Sequence, residues 1–184
     1  MTKTNLSQFN NSSYNPGGGI LKRLLWYFIN AIVFNSALFP FSGLKVGLLK
    51  VFGAHVGKGV NIKPSVNIKY PWRLTIGDYA WIGENVWIDN LDDITIGSNA
   101  CISQGALLLC GNHNYKKSTF DLITGKIVIE DGAWIGAKCV VCPGVTCKTH
   151  SVLTTGSVAN KDLDSYGIYR GNPAMWVKER KINE

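Results

Sequence analysis

Residues 76–93 read IGDYAW, IGENVW, IDNLDD. A large aliphatic returns at every sixth residue, and in the first two sixes Gly follows it and Ala or Val stands fifth. The same frame runs from Val56 (VGKGVN, IKPSVN, IKYPWR), from Ile96 (IGSNAC, ISQGAL, LLCGNH) and from Ile129 (IEDGAW, IGAKCV, VCPGVT). It ends from Cys147 with CKTHSV, LTTGSV and ANKDLD. A half-buried strand repeats every two residues and a helix every 3.6, so neither produces this pattern. Self-similarity at a fixed short period is instead the mark of a stacked solenoid.

A period of six fits a coil with three flat sides, one hexad per side. Position one then points inward and stacks on its counterpart about 4.8 Å above. Position five also points inward, at a tight corner, and has to be small. The frame predicts an all-β solenoid of about five coils: 56–73, 76–93, 96–113, 129–146 and 147–164. Two residues are inserted at 74–75, two at 94–95 and fifteen at 114–128, each after three complete hexads. All three excursions therefore leave from one corner. A loop as long as the third, on a solenoid, usually serves function. Among outward residues, Trp81, Cys101 and Trp134 fall in one row, and Trp87, Leu107 and Val140 in another. Such apolar rows mark a subunit interface or a ligand wall.

The five cysteines are odd in number, which points to a reducing compartment. Cys139 and Cys142 have a zinc-like spacing without a second ligand pair. The frame makes Cys139 and Cys147 core residues and puts Cys142 at a turn, so no metal is expected.

Working outward, residues 1–19 are rich in Asn and Ser and end in Pro16-Gly17-Gly18-Gly19, the composition of a mobile polar tail. Residues 20–55 form an apolar and basic helical segment, with no charge from Leu24 to Phe41. Its Asn30, Asn35, Ser36 and Pro40 count against a membrane span, and the polar leader counts against a signal peptide. A helix docked on its own protein or lying on a membrane surface remains. Residues 165–184 read as a turn, Gly171-Asn172-Pro173-Ala174, and a short final helix.

The net charge of +7 is unevenly placed. No acid precedes Asp78, whereas nine basic residues do. A uniformly basic nucleic-acid binder is thereby excluded. One basic end facing something anionic is favoured, and residues 20–50 are expected to touch an anionic membrane surface.

The repeat resembles that of the hexapeptide-repeat acyltransferases from Val56 to about Lys181. That resemblance implies a left-handed parallel β-helix and a homotrimer. Leu109-Cys110-Gly111-Asn112-His113, Gly132-Ala133-Trp134-Ile135-Gly136 and Gly171-Asn172-Pro173-Ala174 carry the functional part of the likeness. With the N-terminal segment and Phe120-Asp121-Leu122-Ile123, the chain looks most like O-acetyltransferases of exopolysaccharide and capsule biosynthesis. The implied reaction moves acetyl from acetyl-CoA to a hydroxyl of a sugar or lipid-linked sugar, in the cytoplasm or at the inner face of its membrane. Relatives commonly carry Asp after the histidine, where this chain has Asn114.

Ester formation from a thioester needs a base for the hydroxyl proton, a donor for the oxyanion, and both substrates in line. His113 is the candidate base, because imidazole both takes and returns a proton near neutrality. The resemblance implies that Asn90 holds the acceptor hydroxyl. The frame puts Asp93 one coil below His113, where it could orient the imidazole. The resemblance places the oxyanion donor at the Ala137 N–H, with Gly136 admitting the pantetheine arm and Trp134 lining the acceptor or thioester pocket. It also sends the cofactor past Thr155, Asn160, Lys161 and Lys178. Three competing readings are an acetyltransferase for an amino sugar or antibiotic, a zinc lyase needing three converging histidines, and a non-catalytic assembly module.

Overall fold

The position-one side chains from Ile76 to Ala159 are buried, and so are the position-five residues Ala80, Val86, Ala100, Ala106, Ala133, Cys139 and Val145. The computed structural model describes residues 2–183 and places these side chains on the axis of a left-handed parallel β-helix. Its first wall stacks His55–Val56, Leu74–Ile76, Ile94–Ile96, Ile127–Ile129 and Thr146–Cys147. The second wall runs from Asn61–Ile62 through Trp81–Ile82, Cys101–Ile102, Trp134–Ile135 and Val152–Leu153 to Gly167–Arg170. The third stacks Asn67–Ile68, Trp87–Asp89, Leu107–Leu109, Val140–Val141 and Val158–Ala159. Both predicted outward rows form in register, Trp81 on Cys101 on Trp134 and Trp87 on Leu107 on Val140.

Two features of the hexad have separate physical causes. At position two the coils nearly touch: a Cβ on Gly77 would lie 2.5 Å from Ser98 N, and one on Gly83 would lie 2.7 Å from Gln104 N. Position four instead takes a left-handed φ, near 57° at Ser65, Asn85 and His150 as well as at glycines such as Gly132. For a non-glycine residue that conformation costs about 1–2 kcal/mol. Stacking of the walls enforces it, so position four shows no uniform residue type in the sequence.

The frame needs four corrections. The residues inserted at 74–75 and 94–95 lengthen the first-wall strands, and Leu74, Ile94 and Ile127 form a further buried row. The long excursion thus rejoins the wall at Ile127, and its hairpin begins at Gly111 rather than after His113. The last coil is shorter by two residues, Cys147 pairing with Leu163 and Leu153 with Tyr169, and a partial sixth turn follows. The expected C-terminal helix is a strand, Met175–Glu179, antiparallel to Gly167–Arg170. An open sheet edge has unpaired N–H and C=O groups, and this strand covers it.

The opposite end is closed by helices. Helix α1 (Ile20–Ile29) passes through a π-helical turn (Asn30–Phe34) and a bend to α2 (Ser42–Val51). Their polar atoms satisfy the first coil's edge. The Trp26 indole N–H donates to Ile68 O at 2.8 Å, and the Asn30 carboxamide accepts from Ile68 N at 3.1 Å. The Ser42 hydroxyl accepts from Ile62 N at 2.9 Å and donates to Val60 O at 3.2 Å. The fully buried Lys45 amine donates to Lys63 O at 2.7 Å, and burial holds its pKa below the ordinary lysine range. Among the described residues no helix is long and apolar enough to cross a membrane.

The N-terminal tail is not free either. Trp72 Nε1 donates to Pro16 O at 2.8 Å, Arg73 donates to Asn15 O at 2.6 Å, and Tyr14 donates to Leu91 O at 2.7 Å. Its Asn5 N–H reaches Ser118 O at 2.8 Å. Aromatic and amide groups, which composition averages away, fasten this segment along the solenoid. Met1 and Glu184, the ends of the expected tail and final helix, lie outside the described residues.

Candidate active site

The excursion folds as a hairpin in which Gly111–His113 pairs antiparallel with Leu122–Thr124, His113 opposite Leu122. Its far end turns at Phe120, which adopts φ 52°. That conformation aims the Phe120 carbonyl at His113 Nδ1, 2.9 Å away, and lays the two rings parallel at 4.5 Å between centroids. A carbonyl can only accept, so Nδ1 carries the proton and Nε2 of the neutral ring has its lone pair free. From the tail, the Phe9 ring meets the imidazole at a tilt, 5.9 Å between centroids. His113 is therefore a held, half-buried imidazole with one defined tautomer.

The groups expected to assist it are placed otherwise. Asp93 contacts Arg73 at 3.5 Å and Lys126 at 3.0 Å, and it does not orient His113. The two cations beside it and the swing of the chain into the first wall draw its carboxylate away. Asn114 N donates to Asp121 O, and its side chain accepts from Lys116 N, so it shapes the turn and leaves the imidazole alone. Asn90 is fully buried, accepting from Tyr70 N at 2.9 Å and donating to Tyr70 O at 2.6 Å. Both its polar atoms serve the backbone where the third wall of coil one breaks into the 3-10 turn Pro71–Arg73. Neighbouring Asp89, nearly buried and 3.0 Å from the Lys69 amine, is a polar group that the frame did not single out.

The second set of candidates lies at another corner. Gly136 and Ala137 follow Trp134–Ile135, between the second and third walls, and Thr155 stands one coil above, with Gly156 N donating to Ala137 O. Among the described residues the Ala137 N–H has no acceptor, as an oxyanion donor requires. Gly136 is required for a different reason from the one expected: a Cβ there would lie 2.7 Å from both Leu153 O and Thr155 N. It is the next coil that approaches its backbone. Trp134 is half-exposed, and its indole N–H donates to Ser103 Oγ at 2.9 Å. Asn160 and Lys161, both exposed, follow Val158–Ala159 at the corner from which His113 also departs. Lys178 is exposed on the C-terminal strand.

One chain thus carries the held imidazole at one corner and the free N–H at another. The three histidines do not converge: His55 lies on the first coil and His150 stacks on Tyr166 at 4.9 Å. Among the described residues no three His, Cys, Asp or Glu side chains gather so as to hold a metal ion.

The chain matches no family model. A protein named as the colanic acid biosynthesis acetyltransferase WcaF of Escherichia coli (strain K12) is 39% identical over 168 residues, covering 91% of this chain and 92% of that protein. The galactoside O-acetyltransferase of the same strain is 29% identical over 135 residues, covering 72% of this chain and 66% of that protein. Among solved structures, a hexapeptide-repeat acetyltransferase from Vibrio cholerae superimposes with a TM-score of 0.79 at 26% identity, covering 88% of this chain and 92% of that one. A galactoside acetyltransferase in complex with coenzyme A gives 0.77 at 26% identity, covering 88% and 82%.

Proposed function

The chain belongs to the hexapeptide-repeat acetyltransferase family, and on that premise we propose that it moves acetyl from acetyl-CoA to a sugar hydroxyl of a surface-polysaccharide building block. The observation that carries the mechanism is the Phe120 carbonyl on His113 Nδ1, 2.9 Å away. It leaves Nε2 as the atom that takes the hydroxyl proton as oxygen attacks the thioester carbon. The same nitrogen then returns that proton to the departing thiolate, so protons balance without another group.

Acetyl-CoA supplies the activated acyl group. The exposed residues Thr155, Asn160, Lys161 and Lys178 suit an extended anionic ligand, the two amines answering its phosphates. Ala137 N–H answers the oxyanion. Because His113 and Ala137 stand at different corners, a complete site takes one from each of two copies. The half-exposed Trp81 and Trp134 on the second wall support a homotrimer closed by such contacts.

The acceptor class follows from the colanic-acid name of the 39% identical relative together with the N-terminal surface. Leu24, Leu25, Phe28, Leu38 and Phe41 are exposed on a segment with no acid before Asp78. That surface suits the anionic inner face of the cytoplasmic membrane, where a lipid-linked sugar is held. The test is a panel of sugar nucleotides and lipid-linked sugars with labelled acetyl-CoA, product being detected by mass. An O-acetylated sugar is expected; an N-acetyl product overturns the ester assignment. Vesicle co-sedimentation tests the surface, and binding without preference for anionic lipid removes the membrane from the reading.

A further inference from the structure

Below the catalytic hairpin, between α1 and the third wall, lies a cavity of ≈ 500 Å³. That is inside the range of about 300–1,000 Å³ typical of small-molecule sites. Its lining includes Arg23, Tyr27, Asn35, Lys69, Tyr70 and Trp87, and no carboxylate lines it. Arg23 makes no ion pair among the described residues, and its buried Nε has no hydrogen-bond partner. Arg23 and Lys69 both line the cavity with no carboxylate among the lining residues, so it presents cationic donors to an acceptor oxygen. Lys69 adds a second amine, shared with Asp89. The rings of Trp87, Tyr70 and Tyr27 offer apolar faces for the C–H face of a sugar ring.

Register relates this cavity to the base. Lys69, Asp89 and Leu109 occupy the same position on successive third-wall strands, and His113 leaves four residues after Leu109. Two coil steps separate Lys69 from Leu109 by about 10 Å. Resting on the proposed sugar O-acetyltransferase activity, we propose that this cavity holds the phosphate of a 1-phosphorylated sugar acceptor, with Arg23 as the phosphate-reading residue and Trp87 as the sugar platform. The chemistry is shared by soluble sugar 1-phosphates and by lipid-linked sugar diphosphates. The exposed Leu24, Leu25 and Phe28 beside it on α1 suit the lipid-linked form.

Tryptophan fluorescence of the full chain, titrated with glucose, glucose 1-phosphate and citronellyl diphosphate glucose, tests this directly. Saturable binding is expected for both phosphorylated probes, with glucose at least about tenfold weaker. Arg23→Gln should weaken the phosphorylated probes about tenfold and leave glucose unaffected. A preference for the citronellyl probe over glucose 1-phosphate assigns the lipid-linked source, and equal binding assigns the soluble one. Equal affinity for glucose and its phosphate, or no effect of Arg23→Gln, overturns the proposal. Acetyl transfer to a phosphorylated sugar that is unaltered in Arg23→Gln would overturn it while leaving the acetyltransferase reading intact. Loss of acetyl transfer to every sugar would sink that reading instead.

Discussion

The corner after Ile135 and the corner after Leu109 leave the same solenoid, but they are built by different forces. At the first, Gly136 is squeezed against Leu153 O and Thr155 N, and Lys138 takes a left-handed φ of 56°. Each choice is imposed by the coil above, so the geometry is as firm as the stack. At the second, the chain departs as a hairpin held by its own contacts: His113 to Phe120, Asn114 to Asp121, and the Lys117–Asp121 pair at 2.9 Å. The tail adds Asn5 N on Ser118 O and Phe9 against the imidazole. Exposed local contacts of this kind open more readily than a stacked core. The stack carries the fold, and the hairpin carries the proposed base.

Removing the base breaks that comparison most sharply. His113→Ala should lower turnover by roughly 10²–10⁴-fold while the thermal midpoint stays put, since no wall contact is lost. Measured turnover near the parent's would refute the assignment.

Phe120→Ala keeps the carbonyl but removes the ring that covers the imidazole. Activity should fall by up to about 10²-fold through misplacement of Nε2. Nitrogen-15 NMR of His113 should show the single Nδ1–H tautomer of the parent giving way to a mixture. An unchanged tautomer together with reduced activity would separate the ring's role from orientation.

Gly136→Ala addresses the other corner. The added methyl meets backbone on both sides, and a loss of about 1–3 kcal/mol in denaturant unfolding is expected. Unfolding at the parent's midpoint would mean that the coils part more easily than their spacing suggests.

Asp93→Asn should change turnover by less than about threefold. Its partners Arg73 and Lys126 lie at the surface side of the corner, and half-exposed ion pairs contribute little. A drop comparable to that of His113→Ala would restore Asp93 as the orienting group.

These contrasts also explain what could be read in advance. Ile76, Ile82 and Ile88 were legible as core because every coil repeats the same demand. The rows through Trp81 and Trp87 followed from the same arithmetic. His113 was legible through its motif, but its orienting partner was not. That partner is a main-chain carbonyl inside a segment without periodicity, and every residue has one. The partners of Asn90 and Asp93 were hidden for a related reason. The 3-10 turn at Pro71–Arg73 exposes Tyr70's backbone, and the cations beside Asp93 come from residues 20 and 33 positions away. Phe9 and Tyr14 were hidden in a polar composition, although burial pushes the Tyr14 phenol up to about 12. The C-terminal segment read as a helix because its local preference is weak, and the open edge of Gly167–Arg170 claimed it as a strand.

By itself, then, the sequence determined the solenoid: its period, its inward rows and its corner of departure, and through its motif it offered the candidate base. Those are local demands repeated from coil to coil, and repetition makes them visible. Only the tertiary structure decided which atom of His113 is free, that the proposed base and oxyanion donor stand at different corners, and that a cation-lined cavity lies below them. Each of these depends on a backbone group or side chain meeting another far away in the chain, and no period records such a meeting.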